Sequence, residues 1–197
     1  MISGIVFDLD GTLVDSGLDF EAMRREMELP PGEPILEALK HLQPAHAARS
    51  GEVLHRHERE GLARATLLPG VRELLATLKR RRIHTAIATR NSRSITAATL
   101  ARFQLTFDPV LTRDDGPVKP DPWPVLHACQ QWGLGPSQVV VVGDYRFDVE
   151  SGRAAGARTV LLTHPQDPRQ YANHEQADLL LTSLAEYPRL LAWLEAL

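Results

Sequence analysis

Short apolar runs alternate with longer amphipathic stretches along most of the chain. Residues 2–7, 85–89, 109–112, 139–142 and 159–162 are apolar and bounded by turn or charge signals, which predicts five β-strands. Between the later runs, apolar positions recur at helical spacing over residues 71–81, 94–103, 122–132 and 147–155, as at Val71, Leu74, Leu75 and Leu78. Asp121 and Pro122 suit the cap and first turn of the third helix, and Gly156 stops the fourth. A late apolar stretch over 178–182 predicts an edge strand, followed by a terminal helix over 184–197. The alternation predicts an α/β fold, a doubly wound parallel sheet with helices on both faces and the valine run 139–142 at its centre.

Residues 16–67 break that rhythm. Three helical patterns, over 20–27, 34–42 and 45–64, are separated by Pro30-Pro31-Gly32 and Pro44. A helical insertion between the first and second strands follows, with the core formed by residues 1–15 and 68–197. Leu68-Pro69-Gly70 returns the chain to the core, and Ser16-Gly17 marks the way out.

Composition narrows the class without changing this outline. At 197 residues, 43% hydrophobic and 24% charged, the chain is an ordinary globular protein with one substantial core. A net charge of −3 disfavours a nucleic-acid binder that works by neutralising phosphates. The one basic run, Lys79-Arg80-Arg81-Arg82, closes a predicted helix, where cations complement the carbonyl end. The single cysteine, Cys129, leaves no intramolecular disulfide and reads as core filler. No basic segment precedes the first apolar run, and no run approaches spanning length, so a cytoplasmic protein with no membrane partner is expected. Oligomeric state is not legible.

In open α/β sheets ligands sit beyond the carboxyl ends of the strands, and there the chain carries its chemistry. The first strand runs into Asp8-Leu9-Asp10-Gly11-Thr12-Leu13. Extended geometry turns Asp8 and Asp10 to one side and Leu9 to the other. Gly11 lets the chain turn, so that the amides of residues 9–12 face a bound anion, although the same residues also suit a solvated turn. The second strand ends in Thr89-Arg90-Asn91, the fourth in Gly143-Asp144, with Asp148 one helical turn further on, and Lys119 precedes a helix. Hard oxygen donors of this kind suit Mg²⁺, with Asp8 and Asp144 as direct ligands and the main-chain carbonyl of Asp10 as a third. Asp148 reads as a partner of a metal-bound water or of Lys119, or as a helix N-terminal acid favoured by the dipole. Four carboxylates against Lys119 and one Mg²⁺ leave a residual negative charge, so one acid should keep a proton, and Asp10 is the candidate general acid. Thr89 is either a β-branched strand terminator or a hydroxyl donor to a phosphoryl oxygen.

Taken in order, Asp8-Leu9-Asp10-Gly11-Thr12-Leu13, Thr89, Lys119 and Gly143-Asp144 through Asp148 resemble the four motifs of the haloacid dehalogenase-like superfamily, across essentially the whole chain. The resemblance implies a core strand order of 5-4-1-2-3 and a small helical cap at the insertion. It implies that Asp8 is the nucleophile toward phosphorus and that Asp10 protonates the leaving oxygen and then activates water. Thr89 and Lys119 would hold the phosphoryl group, and Asp144 the metal. Gly11, Thr12, Arg90 and Asn91 are the remaining substrate-binding candidates. The second acid, Asp10, points to phosphate esters, because dehalogenases and phosphonate hydrolases of the superfamily lack it; Lys40, the insertion's lysine, reads as a solvated helix residue.

The nearest subgroup resembles phosphoglycolate phosphatases, from which the short insertion and Arg90 depart. Arg90 would pair a second anionic group of the substrate or lie on the surface. His41, His46, His55 and His57 lack the i, i+4 spacing of helical metal sites and read as polar helix surface. The implied activity is a Mg²⁺-dependent phosphatase acting on a small phosphorylated metabolite. A sugar-phosphate mutase-type phosphotransferase and a catalytically idle binding module are the alternatives.

Overall fold

The computed structural model describes residues 1–164 and 174–197. Six parallel strands form the main sheet in the order β5-β4-β1-β6-β7-β8, where β1 is Gly4–Phe7, β4 His84–Ala88, β5 Val110–Leu111, β6 Val139–Gly143, β7 Arg158–Leu162 and β8 Leu179–Leu181. Read from the β7 side, the five expected strands follow 5-4-1-2-3, and the late apolar stretch adds the edge strand β8 beyond them. β1 pairs with β4 on one side and β6 on the other, Val6 lying beside both Ala86 and Val141. Both central strands are buried throughout, which is why their sequences are almost wholly apolar instead of alternating.

The strand period sorts the core into two layers. Val6, Ala86, Ala88, Val139 and Val141 pack with Val125, Ala128 and Cys129 of α6 (Trp123–Trp132) and Ala155 of α7 (Arg146–Ala155). Ile5, Phe7, Ile87, Val140 and Val142 alternate with them and so occupy the other face, where Phe107 meets Phe7 edge-on at 6.2 Å. The remaining core helices are α4 (Val71–Arg80), α5 (Arg93–Phe103) and α8 (Tyr187–Glu195). Cys129 is buried filler, and burial pushes its thiol pKa up. α8 is shorter than its apolar pattern because residues 184–186 form a tighter turn capped by Ser183.

Two short strands escaped the pattern. β2 (Val14–Asp15) and β3 (Thr66–Leu67) pair antiparallel, Asp15 opposite Thr66. The chain divides into two compact units, Met1–Asp15 with Thr66–Leu197, and Ser16–Ala65. Residues 66 and 67, which the 16–67 boundary gives to the insertion, group with the core unit through their pairing with Val14 and Asp15, a two-residue strand being too short to show a period.

The smaller unit has its own core. α1 (Phe20–Glu26), α2 (Ile35–Leu39) and α3 (Pro44–Arg64) enclose Met23, Met27, Leu29, Ile35, Ala38 and Leu54. Asp19 caps α1 by accepting the Ala22 amide at 2.8 Å. His46 lies 2.8 Å from the Met27 carbonyl, and His57 and Arg56 both engage Glu26. His55 sits 4.0 Å from the buried Glu58, so three of the four histidines of this unit have polar partners within it. No helix of the described residues is long and apolar enough to cross a membrane.

Candidate active site

Asp8 is the first residue past β1, and its amide still donates to the Val142 carbonyl at 2.9 Å. The chain then folds back sharply. The Leu9 carbonyl accepts the amides of Leu13 at 2.9 Å and Val14 at 3.0 Å, while the Gly11 amide donates to Val14 at 2.7 Å. Leu9 is fully buried and Asp8 and Asp10 are half-buried, as the period-2 geometry requires.

Asp144 follows β6 and Asp148 lies on the first turn of α7. Carboxylate oxygens of Asp8, Asp144 and Asp148 all fall within 4.8 Å of one another. Two glycines permit that crowding. Gly11 has φ +76°, and a Cβ there would stand 2.1 Å from Asp144 Oδ2; a Cβ at Gly143 would stand 2.0 Å from Asp148 Cγ. Thr12 is fully buried and its hydroxyl donates to Asp144 Oδ1 at 3.4 Å, so it supports an acid of the cluster.

Lys119 reaches the same place from the loop before α6. Its buried ammonium lies 2.8 Å from Asp8 Oδ1 and 2.5 Å from Asp148 Oδ1. The loop is tied on both sides: Arg90 donates to the Lys119 carbonyl, and Ser151 Oγ of α7 donates to the Asp121 carbonyl at 2.8 Å. Asp148 also accepts the Tyr145 amide at 3.1 Å. It thus stands beside Lys119 and also in the first turn of α7, where the helix dipole favours an acid.

Thr89, just past β4, is buried, and its amide donates to the Leu111 carbonyl at 3.0 Å. Its hydroxyl oxygen accepts the Asn91 amide at 3.2 Å, which leaves the hydroxyl proton to donate elsewhere. Asn91 in turn donates its side-chain amide to Asp10 Oδ2. The two acids of the first loop therefore take different partners, Asp8 among the acids around Lys119 and Asp10 beside Asn91. Arg90 is committed to the Lys119 carbonyl and to the ring of Phe147, 4.9 Å from its centroid. Sequence reasoning did not single out this stacking, although a Tyr-Arg-Phe run directly after Asp144 was its signal.

Burial pushes the Asp8 carboxyl up to about 7, helped by Asp148 and opposed by Lys119 and the Leu9 amide. Burial, then Asp8 and Asp148, hold Asp144 well above the usual carboxylate range. Burial disfavours the Lys119 ammonium, but Asp148 and Asp8 outweigh it and hold its pKa above the ordinary value. Three carboxylates and one ammonium amount to a formal charge of −2. A cluster of hard oxygens in that charge state fits a divalent cation, which would relieve the mutual repulsion.

The sequence profile of the haloacid dehalogenase-like hydrolases matches residues 5–162, from β1 through β7. The chain belongs to that family. Among relatives of this haloacid dehalogenase-like hydrolase, a haloacid dehalogenase-like hydrolase domain-containing protein of Arabidopsis thaliana is 33% identical, over 96% of this chain and 84% of its own. A phosphoglycolate phosphatase of Chromobacterium violaceum is 32% identical, over 94% of each. In fold, the crystal structure of a hydrolase from Pseudomonas syringae superposes with a TM-score of 0.80 at 24% identity, covering 97% of this chain and 98% of that one. The motif order, the sheet topology and the family match agree on the core.

Proposed function

We propose that this protein is a Mg²⁺-dependent phosphatase that hydrolyses a small-molecule phosphate monoester through an aspartyl-phosphate on Asp8. The observation that carries the proposal is the placement of Asp8 against the buried Lys119, within 4.8 Å of Asp144 and Asp148 and outside the Asp10–Asn91 pair. The relative named as a phosphoglycolate phosphatase supports the substrate class.

Asp8, Asp144 and the Asp10 carbonyl would hold the Mg²⁺, which supplies positive charge for the phosphoryl oxygens. Everything else falls to the chain. An Asp8 oxygen attacks phosphorus in line, the ester P–O bond breaks, and Asp10 gives its proton to the departing oxygen. Water then attacks the aspartyl-phosphate, Asp10 takes a proton from it, and the P–O bond to Asp8 breaks to release phosphate. Thr89 donates its hydroxyl proton to a phosphoryl oxygen, and the Lys119 ammonium offsets charge on the same group. Asn91 orients Asp10. Gly11 and Thr12 serve by bringing Asp144 close. Residues 16–65 act as the cap that selects the leaving group. A small soluble metabolite is the partner, and the cytoplasm the setting.

The test is release of phosphate from p-nitrophenyl phosphate with and without Mg²⁺. Asp8→Asn should lower kcat by about 10³-fold or more while the protein stays folded. Full activity in that variant removes Asp8 as the nucleophile and with it this reading. Transfer of the phosphoryl group to a sugar hydroxyl in preference to water would make the protein a mutase-type transferase.

A further inference from the structure

The junction of β6 and α7 carries three side chains, those of Tyr145, Arg146 and Phe147, that the acid cluster leaves unused. The ring of Phe147 is buried and takes the Arg90 guanidinium carbon at 4.9 Å and the Arg146 guanidinium carbon at 4.8 Å from its centroid. Tyr145 meets the Phe147 ring edge-on at 5.1 Å and lies 5.9 Å from the Arg146 guanidinium.

The two arginines differ in what else they hold. Arg90 donates to the Lys119 carbonyl. Arg146 stands against two rings and has no ion pair with a carboxylate of the described residues. A guanidinium whose contacts are aromatic rings spends none of its N–H donors on a carboxylate, and those donors form a fork that matches a carboxylate or a phosphate. Helix stability does not explain this cation, because Arg146 opens α7, at the end where the dipole disfavours positive charge.

Its position relative to the acids supplies the reason. Arg146 is two residues from Asp144 and two from Asp148, a chain span of at most about 7 Å in each direction. A second negative group on a bound ester would meet repulsion from these acids unless a fixed cation stood beside it. The contact with the buried Phe147 ring restricts the guanidinium, which reduces the side-chain freedom to be lost on binding.

We propose that Arg146 is a specificity-determining residue that binds a second anionic group, carboxylate or phosphate, on the molecule whose phosphate ester faces Asp8. The proposal rests on the phosphatase reading above. It assigns the substrate to the phosphate esters that carry a second anionic group.

Three esters of matched size separate the possibilities: ethyl phosphate, 2-phosphoglycolate, and ethylene glycol bisphosphate, with phosphate release measured in Mg²⁺. The wild-type protein should favour one of the two esters with a second anionic group over ethyl phosphate by about tenfold or more in kcat/KM, and the favoured one identifies the group. Arg146→Gln should erase that preference through KM, and Arg146→Lys, which keeps the charge without the fork, should restore part of it. No preference in the wild type, a preference that survives Arg146→Gln, or an equal loss on all three esters would overturn the proposal. Absence of wild-type turnover on all three and on p-nitrophenyl phosphate would instead overturn the phosphatase reading.

Discussion

Lys119 shows how much one buried side chain decides. Its ammonium is the cation that Asp8 and Asp148 share, and a buried pair that loses one partner costs about 3–5 kcal/mol because a charge is left uncompensated. Lys119→Met should therefore abolish activity and destabilise the protein at pH 8. The penalty should shrink at pH 5, where the acids are free to take up protons, and urea unfolding at the two pH values measures the difference. Gly11 makes a steric counterpart, since Cβ is excluded both by its positive φ and by Asp144. Gly11→Ala should cost about 1–3 kcal/mol from backbone strain alone, with further loss from the clash, visible as a lowered Tm and a weaker response to Mg²⁺. At this scale the sequence was readable where local geometry fixes the outcome, as in the alternation of Asp8, Leu9 and Asp10. The partners of Asp10 and Arg90 come from residues distant in the chain, and no local period encodes Asn91 beside Asp10 or Phe147 beside Arg90.

Elements were legible in proportion to their length. The valine run of β6 and the periodic α4 leave little choice of structure, and both appear where their patterns put them. α2 spans five residues, shorter than its apolar pattern, because the chain after Leu39 turns toward Gln43 and Pro44, where α3 begins. β2 and β3, two residues each, are defined by each other and by nothing in their own sequence. The smaller unit packs around α1 and α3, and Met23 is fully buried there. Met23→Ala should cost about 2–5 kcal/mol within that unit. Hydrogen exchange should register faster opening in α1 to α3, with the amides of β1 and β6 as the slow reference. Uniform acceleration across both units would mean that they unfold as one.

For the whole molecule, the acid cluster couples folding to protons. The folded protein holds the Asp8 proton up to about pH 7, whereas an unfolded aspartate releases it near its ordinary value of about 3.9. Between those values the folded state binds more protons than the unfolded chain, so the contribution of Asp8 to stability falls as pH rises through that window. On the proposed reading Mg²⁺ would reverse the direction, since it would bind the deprotonated carboxylates and have to displace the proton at lower pH. The rise in Tm on adding Mg²⁺ should be larger at pH 8 than at pH 5.5, and binding at pH 6.5 should release protons measurable in a weakly buffered titration. Equal shifts at both pH values would mean that Asp8 is not among the ligands.

The pairing of Asp15 with Thr66 has an engineering consequence. Facing residues of an antiparallel ribbon are the geometry that a two-residue reverse turn spans, so an Asn-Gly dipeptide can join Asp15 directly to Thr66. The helical segment is in this sense a plug-in with a ready-made socket. Its removal leaves a shortened chain of contiguous hairpin and sheet, and other inserts can be grafted at the same two ends. A chain so closed should fold around the same valine-rich strands and keep Asp8, Lys119 and Asp144 in register, giving a core on which the selection proposed for the insert would have to be rebuilt.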